Sequence, residues 1–153
     1  LQKIPLASNN KPNTIYYSDK SREEVWGKII ELFARNGIGI SLIDKSSGLI
    51  VSYKTNFSNR ITQENDKGEL INPNAYVVSS KVLNSLGMNI FPNEATGSWN
   101  IRLFEDKGRT AIEVNLTNIE VTYVERVGMS TNHVSFDAKS TKVFEQEIAE
   151  YIK

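Results

Sequence analysis

From Ser21 to Lys54 the apolar positions switch from a helical to a strand period. Val25, Ile29, Leu32 and Phe33 share one face at the 3.6-residue repeat, widened by Trp26 and Ile30. Arg22, Glu23, Lys28, Glu31 and Arg35 fill the remainder. Ser21 and Glu24 stand at capping-box spacing, in which hydroxyl and carboxylate satisfy opposite backbone amides, and this predicts the helix start. Asn36-Gly37 predicts its stop, because glycine adopts the left-handed conformation at low cost. Gly27, interior to the stripe, is expected to mark a close approach to a sheet. Ile38, Ile40 and Leu42 then alternate with Gly39, Ser41 and Ile43 as a strand. Asp44 to Gly48 has hairpin-loop chemistry, and Leu49, Val51 and Tyr53 line one face of the returning strand.

The remaining pattern is less regular. The β-branched and aromatic run Thr14 to Tyr17 predicts a short first strand. Thr55 to Asn74 is polar and turn-rich, and reads as a long loop of the mobile or functional kind. Ala75 to Val82 predicts a strand. Leu83 to Phe91 has no clear period, yet carries Leu83, Leu86, Met88, Ile90 and Phe91. Trp99, Ile101 and Leu103 predict a strand, Asp106-Lys107-Gly108 a turn, and Ile112, Val114 and Leu116 its partner. At Asn118 the alternation moves to odd numbers, through Ile119, Val121 and Tyr123. A bulge, corner or new strand must lie there, since a strand's side-chain period is two. Val127 to Lys139 reads as irregular. Ser140 or Thr141 can cap a last helix with Phe144, Ile148, Tyr151 and Ile152 on its buried face.

Strand, helix, several hairpin-linked strands and a helix define an α+β fold. The expected architecture is an antiparallel sheet with the N-proximal and C-terminal helices packed on one face. Residues 1–13, polar with prolines at Pro5 and Pro12, read as a flexible tether, and 14–153 as one α+β domain.

Composition narrows the classes. A 39% hydrophobic and 24% charged chain of 153 residues has globular composition. Its 18 basic and 18 acidic residues cancel, so no basic face is expected for nucleic acid. Without cysteine there is neither a disulfide nor a thiolate ligand or nucleophile. The start at Leu1, with the tether-like composition after it, is read as export followed by cleavage just after a lipid-bearing cysteine outside this chain, with an arbitrary trimming point as the alternative.

Trp26, Leu32, Gly37, Ile38 and Ile40, then Asp44 and Gly48 in the turn and Val51 and Tyr53 after it, carry a family likeness. With the later hairpin from Ile101 to Val114 and the helix around Ile148, this arrangement resembles the helix-grip domains of the lipoprotein component of the bacterial outer-membrane β-barrel assembly machinery. About half the chain takes part. The resemblance implies a helix-grip-like fold and a cell-envelope protein on the periplasmic side of the outer membrane. It further implies attachment through an N-terminal lipid anchor and a partner that is another envelope protein.

Candidate chemistry is sparse. His133 has no nucleophile and carboxylate at a recognisable spacing, and reads as a loop residue. No serine stands in a nucleophile-elbow context. Gly37-Ile38-Gly39 follows a helix, where phosphate loops open one. Glu64, Asn65, Asp66 and Glu69 form an acidic loop without EF-hand spacing. No catalytic residue, cofactor or metal is assigned. Two apolar regions remain as binding candidates. One is Leu83, Leu86, Met88, Ile90 and Phe91; such a loop ordinarily tucks over the core, and becomes a partner surface when exposed. The other is a groove between the last helix and the sheet, bordered by Tyr123, Phe144 and Tyr151, which in a carrier would hold a small apolar ligand. The reading is of a non-enzymatic, exported interaction domain, with the apolar-ligand carrier as its alternative.

Overall fold

The computed structural model describes residues 1–7 and 15–153. The chain is mixed α+β, with mostly antiparallel strands and, among the described residues, two helices. In chain order the elements are β1 (Gln2–Ile4), β2 (Ile15–Ser18), α1 (Arg22–Arg35), β3 (Ile40–Asp44), β4 (Leu49–Ser52), β5 (Thr55–Asn56), β6 (Ile61–Thr62) and β7 (Val77–Ser79). β8 (Lys81–Leu83), β9 (Asn89–Ile90), β10 (Glu94–Asp106), β11 (Arg109–Val127), β12 (Ser130–Phe136), β13 (Ala138–Ser140) and α2 (Val143–Tyr151) follow. They form two compact units. The first unit takes Leu1–Asn10, Asn56–Gly97 and Asn118–Val143; the second takes Lys11–Thr55, Ser98–Thr117 and Phe144–Lys153.

The second unit is built on the most legible sequence. Ser21 caps α1, its hydroxyl oxygen accepting from the Glu24 amide at 3.2 Å, and the Asn36 amide donates to the Leu32 carbonyl at 3.1 Å. Val25, Trp26, Ile29 and Phe33 are its buried stripe. Gly27 departs from expectation: it is exposed, and a Cβ there would meet nothing within 4 Å. It lies off the buried stripe, so no sheet comes near. β4 lies between β3 and β10, β11 follows β10, and β2 pairs with residues 110–113 of β11. Trp99, Ile101 and Leu103 of β10 and Ile112 and Val114 of β11 are buried as their alternation predicts. On α2, Phe144 stacks on Trp99 with ring centroids 4.1 Å apart and meets Phe33 of α1 at 6.4 Å. Ile148 and Ile152 complete the buried face.

One hairpin face points opposite to a simple reading. The buried positions of β4 are Ile50 and Ser52, whereas Leu49 and Val51 are half-exposed and Tyr53 is exposed. Ser52 is tolerated inside because its hydroxyl accepts from the Trp99 amide at 2.8 Å and donates to the Tyr53 carbonyl at 2.9 Å. A register shift between Ile40 and Leu42 breaks the expected alternation of β3.

The first unit holds the segments that lacked a clear period. Gln2–Ile4, expected to be tether, pairs antiparallel with β8, Lys3 opposite Val82. The Ala7 amide donates to Glu64 Oε1 at 2.9 Å. The rest of that expected tether lies outside the described residues. The expected long loop 55–74 contains β5 and β6 and buries Phe57, Thr62 and Gln63. Its polar residues disguise it because the buried ones spend their side chains on backbone. Thr62 Oγ1 accepts from the Asn72 amide at 2.8 Å and donates to the Gln63 carbonyl at 3.0 Å. The expected strand 75–82 splits at Ser80, whose amide and hydroxyl both bond the Asp137 backbone. β7 thereby pairs with β13 and, in parallel, with β6, while β8 joins β1 and β9.

The expected irregular stretch after Val127 is β12, paired with β11 over seven registered positions from Val121↔Phe136 to Val127↔Ser130. A strand exposed on both faces shows no apolar period, so backbone pairing carries it. The phase change at Asn118 is real: Asn118 has φ +52° within β11.

Candidate functional site

The first unit presents the strongest candidate surface, on the β8–β9 hairpin. Asn84 organises its turn. Its side-chain oxygen accepts from the Leu86 amide at 2.9 Å and the Met88 amide at 3.0 Å, while its backbone exchanges bonds with Gly87 and Met88. Gly87, at φ +76°, supplies the left-handed turn position. The expected irregular segment is thus an ordered hairpin, and its apolar residues do not tuck over the core. Leu86 is 80% exposed, Met88 59% and Phe91 63%, whereas Leu83 and Ile90 are half-buried in the β1–β8–β9 ladder.

Beside the hairpin, Phe91 and Pro92 border a shallow, mainly apolar cleft of about 170 Å³, completed by Ile61, Thr62, Gln63, Ile71 and Asn72. Gln63 ties its floor to the hairpin. Its Oε1 accepts from the Asn89 side-chain Nδ2 at 2.7 Å, and its own side-chain nitrogen donates to the Ser80 carbonyl at 3.4 Å. The Asn93 side chain bonds the Val124 backbone through both donor and acceptor, at 3.0 and 2.9 Å, which fixes the end of the segment. Volume decides the kind of occupant. Small-molecule pockets run from about 300 to 1,000 Å³, so this cleft fits one apolar side chain better than a whole ligand.

The seven candidate positions separate. Leu83, Leu86, Met88, Ile90 and Phe91 share the hairpin segment of the first unit. Tyr123 is in the same unit but on β11, opposite Val134 and half-buried. Tyr151 belongs to the second unit, where Lys28 and Arg35 of α1 lie 5.1 and 5.7 Å from its ring centroid. Desolvation, then a hydrogen bond with Glu31, holds its hydroxyl above the usual tyrosine range. The third border of the expected groove, Phe144, is buried between Trp99 and Phe33, so an apolar ligand would have to displace this packing.

Other sequence candidates take structural places. His133 is an exposed β12 residue opposite Val124, not a loop residue. The acidic 64–69 cluster is a hairpin turn, bridged Glu64 to Leu70, in which Asn65 Oδ1 accepts from the Lys67 and Glu69 amides, each at 2.9 Å. Gly37 ends α1 at φ +65°.

Sequence reasoning missed Ile61 and Ile71, although aliphatic residues inside an otherwise polar stretch were the available signal. It also missed an outer apolar strip on the second unit. Leu42 stands opposite Val51, Val51 opposite Asn100, and Tyr53 lies one pleat further along the same face. The Tyr53 ring covers Gly39, where a Cβ would stand 3.1 Å from Cδ2. No protein-family model and no curated protein matches this chain.

Proposed function

We propose that this chain is a non-enzymatic, exported cell-envelope domain that binds a protein partner through the Leu86–Phe91 surface of its first unit. The carrying observation is the rigid hairpin with Leu86, Met88 and Phe91 exposed beside a cleft of single-side-chain size. A hairpin held by backbone and Asn84 bonds pays little ordering entropy on docking, which favours it as a recognition element. An apolar anchor from the partner would enter the cleft between Phe91 and Ile71. The helix-grip likeness supports the envelope assignment. Both helices meeting at Phe144 over the Trp99 face of the second unit are compatible with that fold.

Two measurements test this reading. Fractionation of cells making the native gene product should place the protein with the envelope; recovery only in the cytosol overturns the export assignment. A photo-crosslinking residue at Phe91 should give a discrete protein adduct in those cells, and one at exposed Lys107 of the second unit should not. Equal yields at both positions, or none at Phe91, overturn the binding surface.

A further inference from the structure

The first unit holds a cavity apart from the cleft beside Phe91. Ile4 and Pro5 at the end of β1, the turn from Glu64 to Gly68, and the β7–β8 junction at Ser79–Lys81 enclose about 280 Å³. Glu64 is only 9% exposed. The Ala7 amide occupies its Oε1 at 2.9 Å. Its Oε2 turns toward Gly68, 4.0 Å from where a Cβ would stand, and has neither a hydrogen-bond donor nor a cation as partner among the described residues. A carboxylate this buried is costly while half its acceptor capacity is unused, and a donor brought by a ligand would satisfy it. Ser79, 1% exposed, lines the same cavity, and its hydroxyl also lacks a partner among the described residues. Gly68 keeps the approach open, since a Cβ there would stand 3.2 Å from the Ala7 Cβ.

We propose that this cavity binds a primary alkylammonium group, its N–H donors on Glu64 Oε2 and its alkyl chain along Ile4 and Pro5. Charge selects the sign of the ligand. Glu64 and Asp66 outnumber Lys81 in the lining, which favours a singly charged cation over an anion. Lys139, which does not line the cavity, donates to the Ala7 carbonyl at 3.4 Å. The donor set selects an ammonium over a metal ion. Among the described residues no three acidic or histidine side chains gather to hold one, whereas calcium takes six to eight oxygens. The apolar wall favours an aliphatic chain over a fully hydrated ion. Size sets the length: small-molecule sites begin at about 300 Å³, so a short amine fits. This site is independent of the hairpin surface.

Titration of the isotope-labelled 153-residue chain with n-pentylammonium chloride, followed by amide chemical shifts, tests the site. Saturable shifts are expected at Gly68, Ser80 and Lys81, with a Kd on the order of 1 mM for so small a probe. Pentanol and sodium pentanoate, which lack the ammonium, should leave these amides unmoved. Glu64→Gln keeps an acceptor for the Ala7 amide and should weaken binding about tenfold or more. Asp66 is an exposed turn residue, so Asp66→Asn should fold as the wild type and weaken binding about threefold. A lysine blocked at both backbone ends carries the same ammonium on a peptide. If it binds more tightly than pentylammonium, a protein side chain is the source; if less tightly, a free amine is. No saturable shift up to about 50 mM overturns the proposal. Equal shifts with pentanol or pentanoate overturn it too, as does binding indifferent to both variants.

Discussion

A methyl group on Gly48 would stand 2.1 Å from the carbonyl oxygen of Leu103. The two backbones approach this closely because the Leu103 amide donates to the Gly48 carbonyl at 2.8 Å, tying the β3–β4 turn to β10. Gly48 also has φ +74°, a region side chains rarely adopt. Gly48→Ala must therefore move a core strand or break that bond, and should cost about 3 kcal/mol or more in urea unfolding. Gly37 has a similar φ of +65° but open space around its Cα, so Gly37→Ala should cost only about 1 kcal/mol. Equal losses would show that conformation alone, not the approach to Leu103, sets the requirement.

Phe144 is the side chain on which Trp99 and Phe33 both rest. Phe144→Ala should destabilise by about 3–5 kcal/mol, since the fully buried ring leaves a cavity its neighbours cannot close. Loss of the near-ultraviolet tryptophan signal together with the unfolding midpoint is the expected signature. A change below about 1 kcal/mol would mean that α2 contributes little to this core.

Asn84 acts locally. Asn84→Ala removes the acceptor shared by the Leu86 and Met88 amides, at a cost of about 1 kcal/mol. Hydrogen exchange at these two amides should accelerate while the Trp99 core stays protected. If the Phe91 crosslink reports recognition, its yield should fall in the same variant.

Asp44 gives the turn a pH dependence. Hydrogen bonds from Ser46 and then Ser47 favour its carboxylate and hold its pKa below the ordinary value. The bonds include Ser46 Oγ at 2.7 Å and the Ser46 amide at 3.1 Å. The folded pKa is depressed, so this contribution is complete above the unfolded pKa of about 3.9 and is lost as pH falls through the folded value. Asp44→Asn should remove that part of the acid dependence. A carboxyl resonance titrating at or above the ordinary aspartate value would refute the assignment.

The Tyr17 hydroxyl donates to Asp106 Oδ2 at 2.8 Å, and this bond raises the phenol pKa. The stabilisation is complete below the unfolded tyrosine pKa of about 10 and disappears as pH rises through the folded one. Spectrophotometric titration should show Tyr17 and Tyr151 ionising late in the wild type, and one fewer late tyrosine in Asp106→Asn.

Local signals account for what was legible. The Ser21 cap, the Val25–Phe33 stripe, the Gly37 stop, the turn at Lys107-Gly108 and the phase change at Asn118 each depend on residues within a few positions of one another. Each appears in the structure where its pattern put it. The apolar content of Leu83–Phe91 was equally visible, but whether it faced water depended on how Asn84 bonds the turn.

The sequence by itself determined the α+β class, the helices and the paired hairpins, because capping, turn chemistry and side-chain period are short-range physics. Tertiary structure alone decided that the chain gathers into two units and that the polar 55–74 stretch contributes strands. It also decided that Leu49, Val51 and Tyr53 face outward while Ile50 and Ser52 face the core. A period of two divides a strand into two faces without saying which will be covered. That choice belongs to residues distant in sequence: Trp99, whose amide bonds Ser52, and Asp137, whose backbone bonds Ser80.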